Sequence, residues 1–229
     1  MIAIGRLHIG AVQPEWLVAW EELKKPTKPD GSPDWITWSA KRQIVHVARN
    51  DIVKATLEQH PEATHLFFID DDIIMPPDGL LRLLSHNLPV VTGLYVHRSI
   101  PMLPVVFRCN EKGQHISLTK FCDGLQEVDA CGAGCLLIRT DVLRAIQETG
   151  EPWFDFSQNM SEDLAFCRRV RQLGYPIVLD FDVKCGHLTT LEITYDMFLE
   201  RDEANYHYGD EEVKRLSHEV RPYAVNLSS

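Results

Sequence analysis

At 229 residues, 45% of them hydrophobic, the chain can bury the core of one full domain without disulfide or metal staples. Its net charge of −10 and isoelectric point near 5.4 favour solubility and weigh against an extended nucleic-acid backbone interface. No stretch approaches the roughly 20 apolar residues of a membrane span, and the opening MIAIGRLHIGAVQPEW is no signal peptide, so a soluble, cytoplasmic protein is expected.

Met1 to Val12, rich in Ile and Val, reads as a first strand, and Lys24 to Asp34 as a Pro-rich loop too long for an ordinary connection. Ser39 to His60 follows as a helix, with Ile44, Val45, Ala48, Ile52, Val53, Ala55 and Leu57 at three-to-four spacing and Pro61 as its stop. Thr64 to Ile69 is a short continuous apolar run, the pattern of a strand buried on both faces. A helix over Asp78–Asn87 and a buried strand over Pro89–Tyr95 come next. Shorter strands are expected at Val105–Phe107, His115–Phe121 and Leu125–Ala130.

The Gly-rich bend DACGAG leads into a strand over Cys135–Arg139, and Thr140 is placed to cap a helix over Asp141–Glu148. Ser161 likewise precedes a helix over Glu162–Leu173 that Gly174 ends, and Tyr175–Val183 is the last core strand. One or two amphipathic helices are expected after it. Strands and helices alternate early and shorter strands take over later, which indicates an α/β protein: a mixed, mostly parallel sheet flanked by helices, with short antiparallel additions. The domain proper is expected over 1–187, with 188–229 a helical extension packed on it. The C-terminal segment EEVKRLSHEVRPY also leaves a homo-oligomer open, a helix packed on its own domain being the plainer reading.

Six cysteines, at 109, 122, 131, 135, 167 and 185, contain no C-x-x-C pair. They read as free thiols of a reducing compartment, ahead of a zinc site drawn from Cys131, Cys135, Cys185 and His187, whose spacing fits no common module.

Directly behind the buried run LFFI stand Asp70, Asp71 and Asp72. Ligands of open α/β sheets bind outside the carboxyl ends of parallel strands. Adjacent carboxylates there repel unless a cation compensates them. Residues i and i+2 of an extended segment point the same way, so Asp70 and Asp72 converge on one hard ion, Mn²⁺ or Mg²⁺, which in turn binds diphosphates. A solvated acidic turn before Pro76-Pro77 is the plainer explanation of three aspartates, but the preceding strand favours the metal. Glu162 and Asp163 open a helix, where acids simply complement the dipole. His187, in KCGHL, follows a strand end by a glycine. Neither is informative alone.

Their order is informative. D-x-D after a buried strand, G-x-G before L-L-I-R, E-D opening a helix, then a strand and G-H-L resembles the GT-A glycosyltransferases, above all small family-two-like bacterial and phage enzymes that use nucleotide sugars. The resemblance runs from about Ser39 to His187. It implies Asp70, Asp72 and His187 as metal ligands, with Asp71 beside the donor, and Asp163 as general base with Glu162 orienting it. VVTGLYVHR and GAGCLLIRTDVL would line the donor and acceptor cleft. The expected helix AKRQIVHVARND carries Arg42, Arg49 and Asn50 as candidates to reach a diphosphate or nucleoside, with Arg49 and Asn50, in ARND ahead of the D-x-D strand, the better placed; an exposed helix face is the alternative. The donor implied is a UDP-, GDP- or other nucleoside-diphosphate sugar. The acceptor stays open among a glycan, a lipid-linked sugar, a protein and a modified DNA base.

An in-line base implies inversion at the anomeric carbon, although retaining members carry D-x-D as well. The family's opening turn after the first strand is not visible, so base and ribose contacts are not carried over. Loop 24–34 and segment 97–105 are candidate lid and cleft wall, and Trp153 a candidate sugar platform, with Trp35 and Trp38 read as core. Two rival functions remain: a nucleotidyltransferase, for which GRLHIGAVQ is a poor phosphate loop, and a non-catalytic nucleotide- or carbohydrate-binding module on the same scaffold.

Overall fold

A computed structural model describes residues 1–8, 10–98, 102–156 and 160–190. Its centre is a seven-stranded sheet in the order β2 (Trp35–Lys41), β1 (Ile2–His8), β3 (His65–Asp70), β10 (Cys135–Arg139), β5 (Val90–Leu94), β11 (Ile177–Lys184) and β8 (Leu125–Val128). Five of these strands run one way, and β10 and β8 run against them. The remaining strands make a small antiparallel sheet, β7 (His115–Ser117), β6 (Val106–Cys109) and β9 (Ala130–Cys131), and a two-stranded ribbon of β4 (Ile73–Ile74) with β12 (Gly186–His187).

Both faces of the sheet are covered, which is why the central strands are apolar throughout. Along β3 the side chains alternate: Leu66 and Phe68 enter the core with α2 (Val45–Gln59), α4 (Thr140–Glu148) and α5 (Glu162–Gln172). Phe67 and Ile69 enter the opposite core with α1 (Pro14–Glu22) and α3 (Gly79–Ser85). All four are at most 2% exposed.

Several expected elements change. The first strand ends at His8, and α1 follows with Pro14 at its start, a position where a missing N–H loses nothing. The unassigned residues after the long loop and the expected start of the helix form the edge strand β2, paired with β1, and α2 begins at Val45. Leu125–Ala130 divides between β8 and β9, in two different sheets. Thr140 lies inside α4, and its hydroxyl donates to the Ala63 carbonyl (2.7 Å). Ser161 is the N-cap residue of α5 by position, but its hydroxyl donates to Asp163 Oδ1 and caps no backbone N–H. Gly174 does end α5: it holds φ at 80°, Gly174 N–H bonds the Arg171 carbonyl (2.9 Å) and Tyr175 N–H that of Val170 (3.1 Å), a Schellman closure.

Loop 24–34 is not a lid. Asp34 O accepts from Ile2 N at the start of β1, the end of the sheet away from the aspartates, and Lys28–Ser32 and Pro26–Asp34 bonds tie the loop to itself. Trp153 is half-buried: its indole donates to the Leu143 carbonyl (2.7 Å) and packs against the α4 core, while Trp35 and Trp38 pack on the two cores. The compact unit spans Met1–Thr189; the expected C-terminal helices lie outside the described residues. No helix among the described residues is long and apolar enough to cross a membrane.

Candidate active site

The carboxyl ends of β1, β3 and β5 open onto a cavity of about 370 Å³, lined by His8, the three aspartates, Tyr95, Arg98 and His187 among others. The ribbon β4–β12 sets its floor. It places His187 opposite Ile73, one residue past Asp72, and Leu188 N–H closes onto the Asp72 carbonyl (2.7 Å).

The three aspartates have different surroundings. Asp70, the last residue of β3, is held by Arg49 Nη2 at 3.0 and 3.1 Å through both carboxylate oxygens. Asp71 Oδ2 lies 3.6 Å from His8 Nδ1. Asp72 Oδ2 takes Arg98 Nη1 at 2.8 Å and faces His187 Nε2 at 3.5 Å. The expected convergence of Asp70 and Asp72 required an extended backbone, but β3 stops at Asp70 and a turn begins. Among the described residues no group of three or more His, Cys, Asp or Glu side chains is gathered to hold a metal.

His187 is oriented by its other nitrogen: Nδ1 and the Val96 carbonyl are 2.7 Å apart, so Nδ1 carries the hydrogen and Nε2 is turned to Asp72. Tyr95 packs edge-on against the ring. Burial lowers the His187 imidazole, yet the contacts with Asp72 and Val96 prevail and raise it. Burial would raise Asp72, but His187 and Arg98 outweigh it and hold the carboxyl below its usual range. A nitrogen fixed by a carbonyl behind it and an anionic oxygen beside it have the chemistry of two ligands for a hard divalent ion.

Arg49 is buried, at 2% exposure, over the rings of Phe68 and Phe154. Besides Asp70 it donates to the Ala133 carbonyl (3.1 Å), and its Nε lies 3.7 Å from Glu162 Oε1. Burial lowers the guanidinium, and Asp70, Glu162 and Asp163 more than reverse this. Burial raises Asp70, against Arg49 and with Asp72 and Asp71 adding to it; burial also raises Glu162. Asn50 grips the backbone of Phe154 from both sides, Nδ2 to O at 2.7 Å and Phe154 N–H to Oδ1 at 3.0 Å. Arg49 and Asn50 are therefore engaged within the protein, and neither is on an exposed helix face or among the residues lining the cavity.

Asp163 opens α5. Ser161 and Leu164 N–H both bond its Oδ1, and neither bond falls on Oδ2. It does not line the cavity, but its charge acts on Tyr95, which does. The Gly-Ala-Gly bend fits tightly around that tyrosine: Gly134 N–H donates to the Tyr95 hydroxyl (3.1 Å), and a Cβ on Gly132 would stand 2.1 Å from the same oxygen. Segment 97–105 supplies cleft wall through His97, Arg98 and Val105.

Sequence reasoning missed His8 and Trp16, and it included Arg98 only as part of the cleft-lining segments, without a role of its own. Trp16 Nε1 donates to the Asp70 carbonyl (2.8 Å) and packs edge-on against His8. His8 ends a strand beside the D-x-D strand, a position that could have identified it.

No family model and no curated protein matches the chain. Among solved structures it is similar to A197 from STIV, with a TM-score of 0.58, 20% identity and coverage of 83% of this chain and 87% of that one. It is also similar to GalNAc-T7 solved with UDP, GalNAc and Mn²⁺, with a TM-score of 0.52, 10% identity and coverage of 83% of this chain and 44% of that one. The fold is GT-A-like: a mixed α/β sheet, mostly parallel, with small antiparallel additions.

Proposed function

We propose that this protein is a metal-dependent glycosyltransferase that moves a sugar from a nucleoside-diphosphate sugar to an acceptor hydroxyl. The observation that carries the proposal is the Asp72–His187 pair in a cavity at the carboxyl ends of parallel strands, with His187 held by Val96. The similarity to a fold solved with UDP, GalNAc and Mn²⁺ supports the ligand class.

Asp72 and His187 would hold Mn²⁺ or Mg²⁺, and such an ion supplies charge neutralisation to a departing diphosphate. Arg98 now stands beside Asp72 as the compensating cation and would pass to the phosphates when donor binds. Asp70 and Asp71 bound the same cavity, with Asp70 fixed by Arg49. In this reading Arg49 and Asn50 position the site, by bracing Asp70 and Phe154, and Glu162 is fixed through Arg49. Asp163 would accept the acceptor proton through Oδ2, giving inversion at the anomeric carbon.

The test is a thermal-shift series with UDP, GDP, CDP and dTDP sugars, with and without Mn²⁺, on wild type and Asp72→Asn. A donor at 100 times its dissociation constant adds about 2.7 kcal/mol. The expected result is stabilisation by one nucleotide only with metal, lost in Asp72→Asn. No shift with any nucleotide removes the donor reading; binding without any sugar release or transfer leaves a binding module on this scaffold.

A further inference from the structure

A second cavity, of about 540 Å³, lies between α1 and the carboxyl ends of β1 and β2, and Arg6, His8, Ser39, Lys41 and Arg42 contribute to its lining. We propose that it binds a small phosphate-bearing anion, at a site separate from the metal pair and additional to the proposed donor site.

The strands' register builds it. Arg6 pairs with Ser39 and His8 with Lys41, so these four alternate positions share one face of the sheet. Earlier on that face stand Ile2, Ile4 and Trp35, with Thr37 opposite Ile4, and the three apolar residues pack with Trp16 and Trp20 of α1. At the carboxyl ends, where α/β sheets place ligands, the same face turns basic. Arg42 N–H then bonds the His8 carbonyl (3.0 Å), and Arg42 holds φ at 54°, a left-handed conformation costly for a residue with a side chain.

Among the described residues the charge is uncompensated. Three cations and no carboxylate among the described residues line the cavity, in a chain whose net charge is −10. Among the described residues, none of the three cations forms an ion pair with a carboxylate in the structure. Arg6 donates from Nη2 to Ser39 Oγ (2.9 Å) and lies over Trp20 at 4.9 Å, but its buried Nε has no hydrogen-bond partner. A half-buried guanidinium with an unused donor, beside two further cations and a hydroxyl, suits the several oxygens of a phosphate group. His8 lines both cavities, so a ligand here would lie against the donor site through that ring.

The experiment titrates inorganic pyrophosphate calorimetrically into the full chain in EDTA, which removes divalent ions and so isolates this cavity from the metal pair. Wild type should bind. Lys41→Gln/Arg42→Gln, two changes at exposed positions, should weaken binding by about tenfold or more, and Asp72→Asn should leave it unchanged. Absence of binding to wild type, equal binding by the double variant, or loss in Asp72→Asn would each overturn the proposal. The donor series with Mn²⁺, run on the same double variant, reports on the donor site independently, so the two readings fail separately.

Discussion

Replacing Arg49 with methionine isolates the ion cluster that supports the site. Methionine keeps an apolar stem against Phe68 and Phe154 but removes the guanidinium that lies 3.0 Å from Asp70 and 3.7 Å from Glu162. The Arg49 and Asp70 side chains are 3% and 28% exposed, so water screens the pair poorly. At that separation the gross attraction is about 5 kcal/mol for an effective dielectric near 20, before desolvation is counted. Deleting one partner of a buried pair costs about 3–5 kcal/mol, because the other charge is left uncompensated. Asp70 and Glu162 already have raised pKa values through burial, and without Arg49 they should rise further. Groups whose folded-state pKa is raised favour folding at low pH and lose that contribution as pH climbs through the folded value. Arg49→Met should therefore lose more stability at pH 8 than at pH 5. Urea unfolding at both pH values measures this, and at a slope near 2 kcal/mol per molar a loss of about 3 kcal/mol moves the midpoint by about 1.5 M. Adding Asp70→Asn should recover part of the loss. A midpoint within about 0.5 M of wild type at pH 8, or a double variant no better than the single, refutes the reasoning.

Gly132→Ala would put a methyl 2.1 Å from the Tyr95 hydroxyl and 2.7 Å from Val105 Cγ1, and overpacking of this kind costs about 1–3 kcal/mol. Calorimetry should record the lower melting temperature, and Tyr95→Phe in the same chain should restore part of it. Asp180, fully buried, accepts from Arg82 Nε at 2.7 Å and contacts His86 Nε2 at 2.8 Å. Burial would raise its pKa, but His86 and Arg82 outweigh it and depress it. That stability is present above the unfolded value near 3.9 and disappears as pH falls through the folded one. Asp180→Asn should cost about 1–2 kcal/mol at pH 7, since half-exposed Arg82 can rehydrate, and the gap from wild type should narrow as pH falls below the unfolded value in a urea series. Asp163→Asn should lower transfer by about 10²- to 10⁴-fold in a donor-consumption assay while the metal-dependent thermal shift persists; unchanged turnover removes Asp163 from the chemistry.

Much of this fold was legible because burial on both faces leaves a coarse mark. Leu66 to Ile69 read as a core strand from composition alone, and the Gly174 stop followed from chain chemistry. Strand β2 was hidden because an edge strand needs only half its residues apolar: Trp35, Ile36 and Trp38 stand among Thr37, Ser39 and Lys41, which reads equally as loop. Helix α1 buries only Trp16 fully, so no apolar stripe announced it, and Pro14 at its start was the one usable signal. Arg49 misled through its charge. Helical period places it with Ala48, Ile52 and Val53 on the buried stripe of α2, and only long-range partners, Asp70 and Ala133, allow a cation there.

The triple aspartate marks where one-dimensional reading stops. A D-x-D pattern suggests two equivalent carboxylates on one ion, because extended residues two apart point alike. Here β3 ends between the first and the second, and the rule ends with it. Asp70 lines the cavity while both its oxygens are held by Arg49, Asp71 lies against His8 of β1, and Asp72 is the one of the three that meets His187 among the described residues. The decisive contact is made by the β4–β12 ribbon, whose strands are two residues each and more than one hundred positions apart. No local pattern encodes such a pairing. The order of motifs along the chain carries more of it than any single motif, because a fold that brings distant strand ends to one edge also fixes the order in which they occur in the sequence.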